Sequence, residues 1–274
     1  MNTTRLRGSA AATDLGRVRD NNEDAYAVGD GFWVVAGSLG GHVGGEVASR
    51  LAVDAGRGYL EWAGRTPGLT EVLASFWVAN SAIDEGARDN SHLEGMGTTL
   101  VMAALNPHGT LIVGNVGDSR AYLLVAGALH QITTDDNLAQ ELVAKGKLTP
   151  QEARAHPGQF VLTKALGLGQ RTAPKATIRA VKKAKGRLLL CTDGLSGEVD
   201  APRIAALLAE GTPEAAAGYL IAAALEHGGS DNVTVIVVDL LTANAERIVP
   251  GVKSWLDDLG VAYEFWSRIE MDEG

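Results

Sequence analysis

The sequence predicts an α+β protein, a β-sandwich of two mainly antiparallel sheets flanked by helices on both sides. Three observations carry that expectation. Six segments, "FWVVAG", "TTLVMAAL", "TLIVGNV", "RAYLLV", "RLLLCT" and "NVTVIVVDLL", are apolar on both faces, as strands covered on both sides must be. "ALNPHGTL" and "NVGDSRAY" read as tight turns between neighbouring strands, which favours antiparallel hairpins. The helical stretches fall in blocks between the strands, and such blocks pack as layers.

The helices follow from periodicity. From Val43 apolar residues recur four apart (Val43, Val47, Leu51, Ala55, Tyr59), with Glu46, Arg50 and Asp54 as the opposite charged stripe. Leu69–Ala87, Asn137–Lys145 and Pro202–His227 also read as helices. The expected organisation is a lead-in over 1–12, one domain over 13–241 and an extension over 242–274. That extension carries Trp255, Tyr263, Phe265 and Trp266, and Val252, Trp255, Leu256 and Leu259 fall at helical spacing. It is expected to be ordered, because so much aromatic surface is costly to leave in water. Two roles are open for it: a helix packed back on the body, or an anchor for a partner or a second copy.

With 274 residues, 46% of them hydrophobic, the chain can bury a sizeable core. A net charge of −9 argues against nucleic acid and anionic membrane surfaces as partners. Neither a signal-peptide core nor a membrane-length apolar run is visible, so the expected location is cytoplasmic. The single Cys191 lies in an apolar strand and reads as a buried small residue.

The stretch "FWVVAGSLGGHVGGEVASRL" places five glycines in the nine residues 37–45, between a strand and a helix. Its spacing fits neither the dinucleotide fingerprint nor the P-loop, since Gly45 is followed by Glu46 rather than Lys and Ser/Thr. The acids point elsewhere. Glu23 and Asp24 precede the strand "AYAV", Asp118 lies in "VGDSRAY", Asp193 ends "LLLCTDG" and Asp231 opens "SDNVTVIVV". One strand-end Asp is more often a turn or cap residue. Several on different strands can converge, and oxygen ligands on rigid strand ends suit a hard divalent cation, Mg²⁺ or Mn²⁺. The six histidines show no zinc-like pairing.

The segments "TDLGRVRDNNEDAY", "GGHVGGEVAS", "MGTTL", "VGDSRAYLL", "QELVAKGKLTPQEARAHP", "TKALG", "LLLCTDGLS" and "GGSDNVTVIVV" stand in the order of the bacterial metal-dependent protein phosphatase family (PPM, protein phosphatase 2C type), which the chain resembles from about Thr13 to Leu240. The resemblance implies a sandwich between helical layers and two-metal hydrolysis of phosphoserine and phosphothreonine in proteins, opposing a Ser/Thr kinase. It implies that Arg19 holds the substrate phosphate, as a planar guanidinium can grip two oxygens at once. By the same resemblance Asp193 and Asp231 are metal carboxylates, Glu23 and the neighbouring Asp24 belong to the metal site, with Glu23 acting through water, and Asp118 serves a third, weaker ion. His42 is the candidate general acid for the leaving alkoxide. Asp135–Ala180 corresponds to the flap that shapes substrate choice, where the family's usual Asp-His-Ser is Asp135, Asp136 and Asn137.

One departure stands out. Where the family has Asp-Gly after the strand, this chain has Gly37-Ser38. The missing aspartate is the one that bridges both ions, and the adjacent position, here Ser38, gives a backbone carbonyl to one of them. Losing an outer-shell partner alone costs ~10–100-fold in affinity or activity, so fewer or weaker ions than the family's two or three are expected. Two readings follow: a metal-weakened protein phosphatase, or a pseudophosphatase that binds phosphoproteins without hydrolysing them.

Overall fold

The strand Phe32–Ala36 shows how continuous hydrophobicity serves two cores at once. Trp33 and Val35 point into the space between two sheets, while Val34 and Ala36 point out towards helices, and all four are fully buried. The structure is a computed structural model and describes residues 6–39, 44–64, 67–168, 174–182, 184–240 and 263–266.

One sheet holds β1 (Leu6–Asp14), β6 (Arg120–Val125), β7 (Ala128–Gln131), β9 (Gly186–Cys191) and β10 (Val233–Leu240) in the order β1-β10-β9-β6-β7, all antiparallel. The other holds β2 (Ala25–Val28), β3 (Phe32–Ala36), β4 (Leu100–Leu105), β5 (Leu111–Val116), β8 (Thr177–Val181) and β11 (Tyr263–Trp266) in the order β11-β8-β5-β4-β3-β2. Among the described residues only the β11–β8 pairing is parallel, Tyr263 lying opposite Ile178 and Trp266 opposite Val181. The helix expected around Val252–Leu259 lies outside the described residues.

Helices cover both outer faces. α1 (Gly45–Ala63) and α2 (Leu69–Asp89) pack Leu60, Phe76 and Ile83 on the β2–β5 side. α6 (Ala201–Leu208) and α7 (Pro213–Glu226) pack Ile204, Leu208 and Leu220 on the β9–β10 side. The α+β sandwich is therefore as the sequence predicts. Cys191 is buried, and burial pushes its thiol up to about 12.

Three expectations need correction. "NVGDSRAY" does not close a hairpin: β5 and β6 lie in different sheets, and the turn crosses between them. Gly117, at φ 99°, makes the crossing, packed against Thr99. The single helix expected over Pro202–His227 is two, because Gly211 breaks the first and Thr212 caps a new start at Pro213. The lead-in joins the body, since residues 8–14 of β1 pair with β10. Its "GSAAATD" lacks the bulky residues that mark strands, yet β10 offers a free edge. The described residues of the flap region include two short α-helices, α3 (Leu138–Ala144) and α4 (Pro150–Ala153), and a 3-10 turn over Pro157–Phe160, and its last residues already belong to β8. Among the described residues no helix is long and apolar enough to cross a membrane.

Candidate functional site

The expected acids lie where strands of both sheets end. Asp193 opens a one-turn helix, α5 (Asp193–Ser196), directly after β9. That turn packs tightly on the chain entering β10: a Cβ on Gly194 would stand 2.0 Å from the carbonyl oxygen of Asn232. Asp231 precedes β10, and Arg19 donates to its Oδ2 at 2.8 Å. Asn232 holds the two loops together. Its amide donates to Leu15 O (2.8 Å) and Asn21 O (2.9 Å), and its Oδ1 accepts from the Glu23 N–H (2.8 Å). The carboxylate of Glu23 lies beside Gly45, whose missing Cβ would come within 2.5 Å of Glu23 Oε2. Ser49 of α1 donates to the Glu23 carbonyl. Gly194→Ala should therefore force β9 and β10 apart, costing roughly 1–3 kcal/mol as overpacking does. Urea unfolding reads this directly, and an unchanged midpoint would contradict the packing.

Electrostatics tie these acids together. Asp24 is raised to about 7, first by burial and further by repulsion from Asp193 and Asp231, against hydrogen bonds from Thr234 and Thr192. Thr192 Oγ1 donates to Asp24 Oδ2 at 2.9 Å. Asp193 is raised to about 6 by burial and then by Asp231. Asp118, in the crossing turn, is raised by burial and then by Asp193 and Asp135. Asp24, Asp193 and Asp231 thus repel one another, and Asp118 joins them through Asp193. Asp24, Asp118 and Asp231 are half-buried and Asp193 reaches the surface, and Arg19 and Arg120 relieve part of the repulsion.

Gly37 sits inside a hydroxyl shell. Its N–H donates to Thr99 Oγ1 (3.0 Å), and its carbonyl accepts from Thr98 Oγ1 (2.8 Å) and the Thr99 N–H (2.9 Å). Thr99 and Ser119 hydroxyls meet at 2.7 Å. A Cβ at 37 would meet Thr192 Cγ2 at 3.1 Å, Thr99 Oγ1 at 3.3 Å and Asp24 Oδ1 at 3.5 Å, so a side chain there would enter the acid cluster. Ser38 pairs with Thr98 as an isolated bridge. His42 lies outside the described residues.

The flap residues behave differently from the acids of the cluster. Asp135 takes three bonds from Arg120, at 2.7–3.1 Å, and Arg120 also donates to Tyr122. The side chain of Asn137 caps α3 by accepting from the Gln140 N–H at 2.9 Å. Asp136 is bound to Lys164 and Gly117. Sequence reasoning does not single out Arg120, Asn232, Lys164 or the Thr98–Thr99–Thr192 hydroxyls. The only signal for Arg120 is its place in "GDSR", and hydroxyl shells leave no periodic trace.

Comparison with known proteins decides the family. Residues 14–225 match the model for protein phosphatase 2C. The chain belongs to the protein phosphatase 2C family. It is 42% identical over 257 residues to the serine/threonine protein phosphatase PstP of Mycobacterium tuberculosis, covering 91% of this chain but only 48%, about half, of that relative. It is 35% identical to the serine/threonine phosphatase stp of Listeria monocytogenes, covering 83% of this chain and 93% of the relative. The crystal structure of M. tuberculosis PstP superposes with a TM-score of 0.77 at 40% identity, over 86% of this chain and 99% of that one. A structure of the PstP catalytic domain in complex with two manganese ions gives 0.76 at 40% identity, over 87% and 100%. For this protein phosphatase 2C chain the donor chemistry fits such a cation: oxygen-only side chains in a half-buried cluster of repelling carboxylates. The geometry stops short of a preformed cage, because among the described residues no three His, Cys, Asp or Glu side chains group as metal ligands.

Proposed function

We propose that this chain is a Mg²⁺- or Mn²⁺-dependent phosphatase of phosphoserine and phosphothreonine in proteins, weakened by Gly37-Ser38. The observation that carries the reading is the convergence of Asp24, Asp193 and Asp231, with Asp118 joined through Asp193, in one half-buried, mutually repelling cluster with Arg19 at its rim. In this reading Asp193 and Asp231 would hold the cation, with Asp24 and Asp118 nearby, and Glu23 and the Ser38 carbonyl would be the donors left for a second, poorly held ion. When bound, the ion supplies positive charge and a water of lowered pKa. Arg19 receives two phosphate oxygens in place of its bond to Asp231, and its half-exposed position lets a phosphorylated side chain reach it. His42 hands a proton to the leaving serine or threonine oxygen. The reading sets the chain against a Ser/Thr kinase in the cytoplasm, with the extension after Leu241 as a docking segment for a partner or a second copy.

The alternative, a pseudophosphatase that binds phosphoproteins, is favoured by Gly37 and by the absence of a preformed acid cage among the described residues. Phosphate release from a phosphothreonine peptide in millimolar Mn²⁺ or in EDTA separates the two. The phosphatase reading expects slow, Mn²⁺-dependent release that Arg19→Ala abolishes. Peptide binding that needs Arg19, without any release, would establish the alternative.

A further inference from the structure

Asp136 stands beside the acid cluster, yet its carboxylate is committed elsewhere. Its Oδ2 accepts from the Gly117 N–H at 3.1 Å, and its Oδ1 is ion-paired with the Lys164 ammonium. Its own N–H donates to Gly117 O at 2.9 Å, and its carbonyl accepts from the Thr163 N–H at 2.8 Å. One buried residue therefore ties the turn that carries Asp118 to both limbs of the flap. Lys164 is 36% exposed while the Asp136 side chain is 9% exposed, so removing the ammonium leaves a nearly buried carboxylate without its counter-charge.

The limb that Lys164 belongs to continues towards the Gly37–Ser38 loop. The Leu138 N–H donates to Val161 O (2.9 Å), and Asn137 pairs with Leu162. Further on, Leu166 exchanges backbone bonds with Thr98 at 2.9 and 3.2 Å. Thr98 in turn pairs with Ser38 and holds the Gly37 carbonyl at 2.8 Å. Residues 161–166 thus run as a strap from the start of α3, past the Asp118 turn, to Thr98 beside the Gly37–Ser38 loop, with Asp136 and Lys164 fastening its middle.

We propose that Asp136 and Lys164 form an electrostatic latch that fixes this strap in place. They are positioning residues: they set the affinity for the polypeptide flanking the phosphate without contacting the phosphate. The substrate part rests on the function proposed above; the mechanical part does not. The latch also removes Asp136 from the candidates to replace the carboxylate missing at residue 37.

Hydrogen exchange on the full chain tests the mechanical part, comparing the native protein with Asp136→Asn, Lys164→Met, Lys164→Arg and the Asn/Met double variant. Asparagine still accepts from Gly117, so only the ion pair is lost. The single variants should speed exchange at least ~10-fold in both 161–167 and 117–119, by local opening. The double variant should be no faster than the singles, Lys164→Arg should stay near native, and β4 and β9 should keep their protection. Unchanged exchange, or an equal rise throughout the chain, overturns the latch. For the substrate part, Lys164→Met should raise KM for a phosphothreonine peptide at least ~3-fold and leave kcat on p-nitrophenyl phosphate within about twofold. A proportional fall on both substrates overturns the positioning role. If the native chain neither binds nor hydrolyses phosphopeptide, the proposed function falls and takes the substrate part with it, while exchange still judges the latch.

Discussion

Gly37→Asp combined with Ser38→Gly is expected to raise Mn²⁺-dependent hydrolysis of a phosphopeptide at least roughly tenfold, the low end of losses seen for milder perturbations of metal sites. The backbone permits the change. A Cβ at 37 touches only side-chain atoms, with Thr192 Cγ2 nearest at 3.1 Å, so a shift of a few tenths of an ångström makes room. The new carboxylate would enter beside Asp24, where the metal-free chain already crowds negative charge. The double variant should therefore be less stable than the native chain in EDTA and bind Mn²⁺ more tightly. Titration calorimetry and phosphate release measure the two gains separately. An unchanged rate together with unchanged Mn²⁺ affinity would mean that another group already fills the bridging role.

The same crowding predicts how the metal-free chain responds to pH. Asp24 at about 7 and Asp193 at about 6 both lie above the ordinary value of 3.8. Between pH 4 and 7 the folded chain holds more protons than the unfolded one, so stability falls as pH rises through that window. The loss should come mainly from half-buried Asp24, at no more than about 1.4 kcal/mol per tenfold difference in proton affinity, while solvent screens the contribution of the exposed Asp193. In EDTA the urea midpoint should drop from pH 5 to pH 8 with an unchanged slope. Asp24→Asn should flatten that drop, and Mn²⁺ should reverse much of it. A midpoint that is equal or higher at pH 8 in EDTA would show that the acids ionise without strain.

The layers were legible because burial on both faces writes itself into β3, β4, β5, β6, β9 and β10 as uninterrupted apolar runs. β1 and β7 were not, since a strand at a sheet edge needs little apolar surface and leaves a weak pattern. The "NVGDSRAY" turn shows a different limit. Its length fits a hairpin, but sheet membership depends on long-range pairing that no local pattern records. At the site, acid types and ordered motifs picked out acids at strand ends, and the structure brings Asp24, Asp193 and Asp231 into range of one another and Asp118 into range of Asp193. What escaped the sequence was partnership. Nothing in "TTDDN" tells Asp135, gripped by Arg120, from Asp136, gripped by Lys164, because both partners come from distant segments.

The parallel strand β11 has a consequence for symmetry. Two copies of one edge strand brought together by a twofold axis always run antiparallel, so an exposed β8 would invite dimerisation through "TIRAV". With Tyr263–Trp266 lying along Ile178–Val181, that edge is spoken for, and the outermost rung belongs to "YEFW". A rotationally symmetric pair formed along this edge would then be written in Tyr263–Trp266, and a pair through the opposite rim in "AYAV". Assembly along one side of the molecule could be rewritten there without altering a residue of the acid cluster.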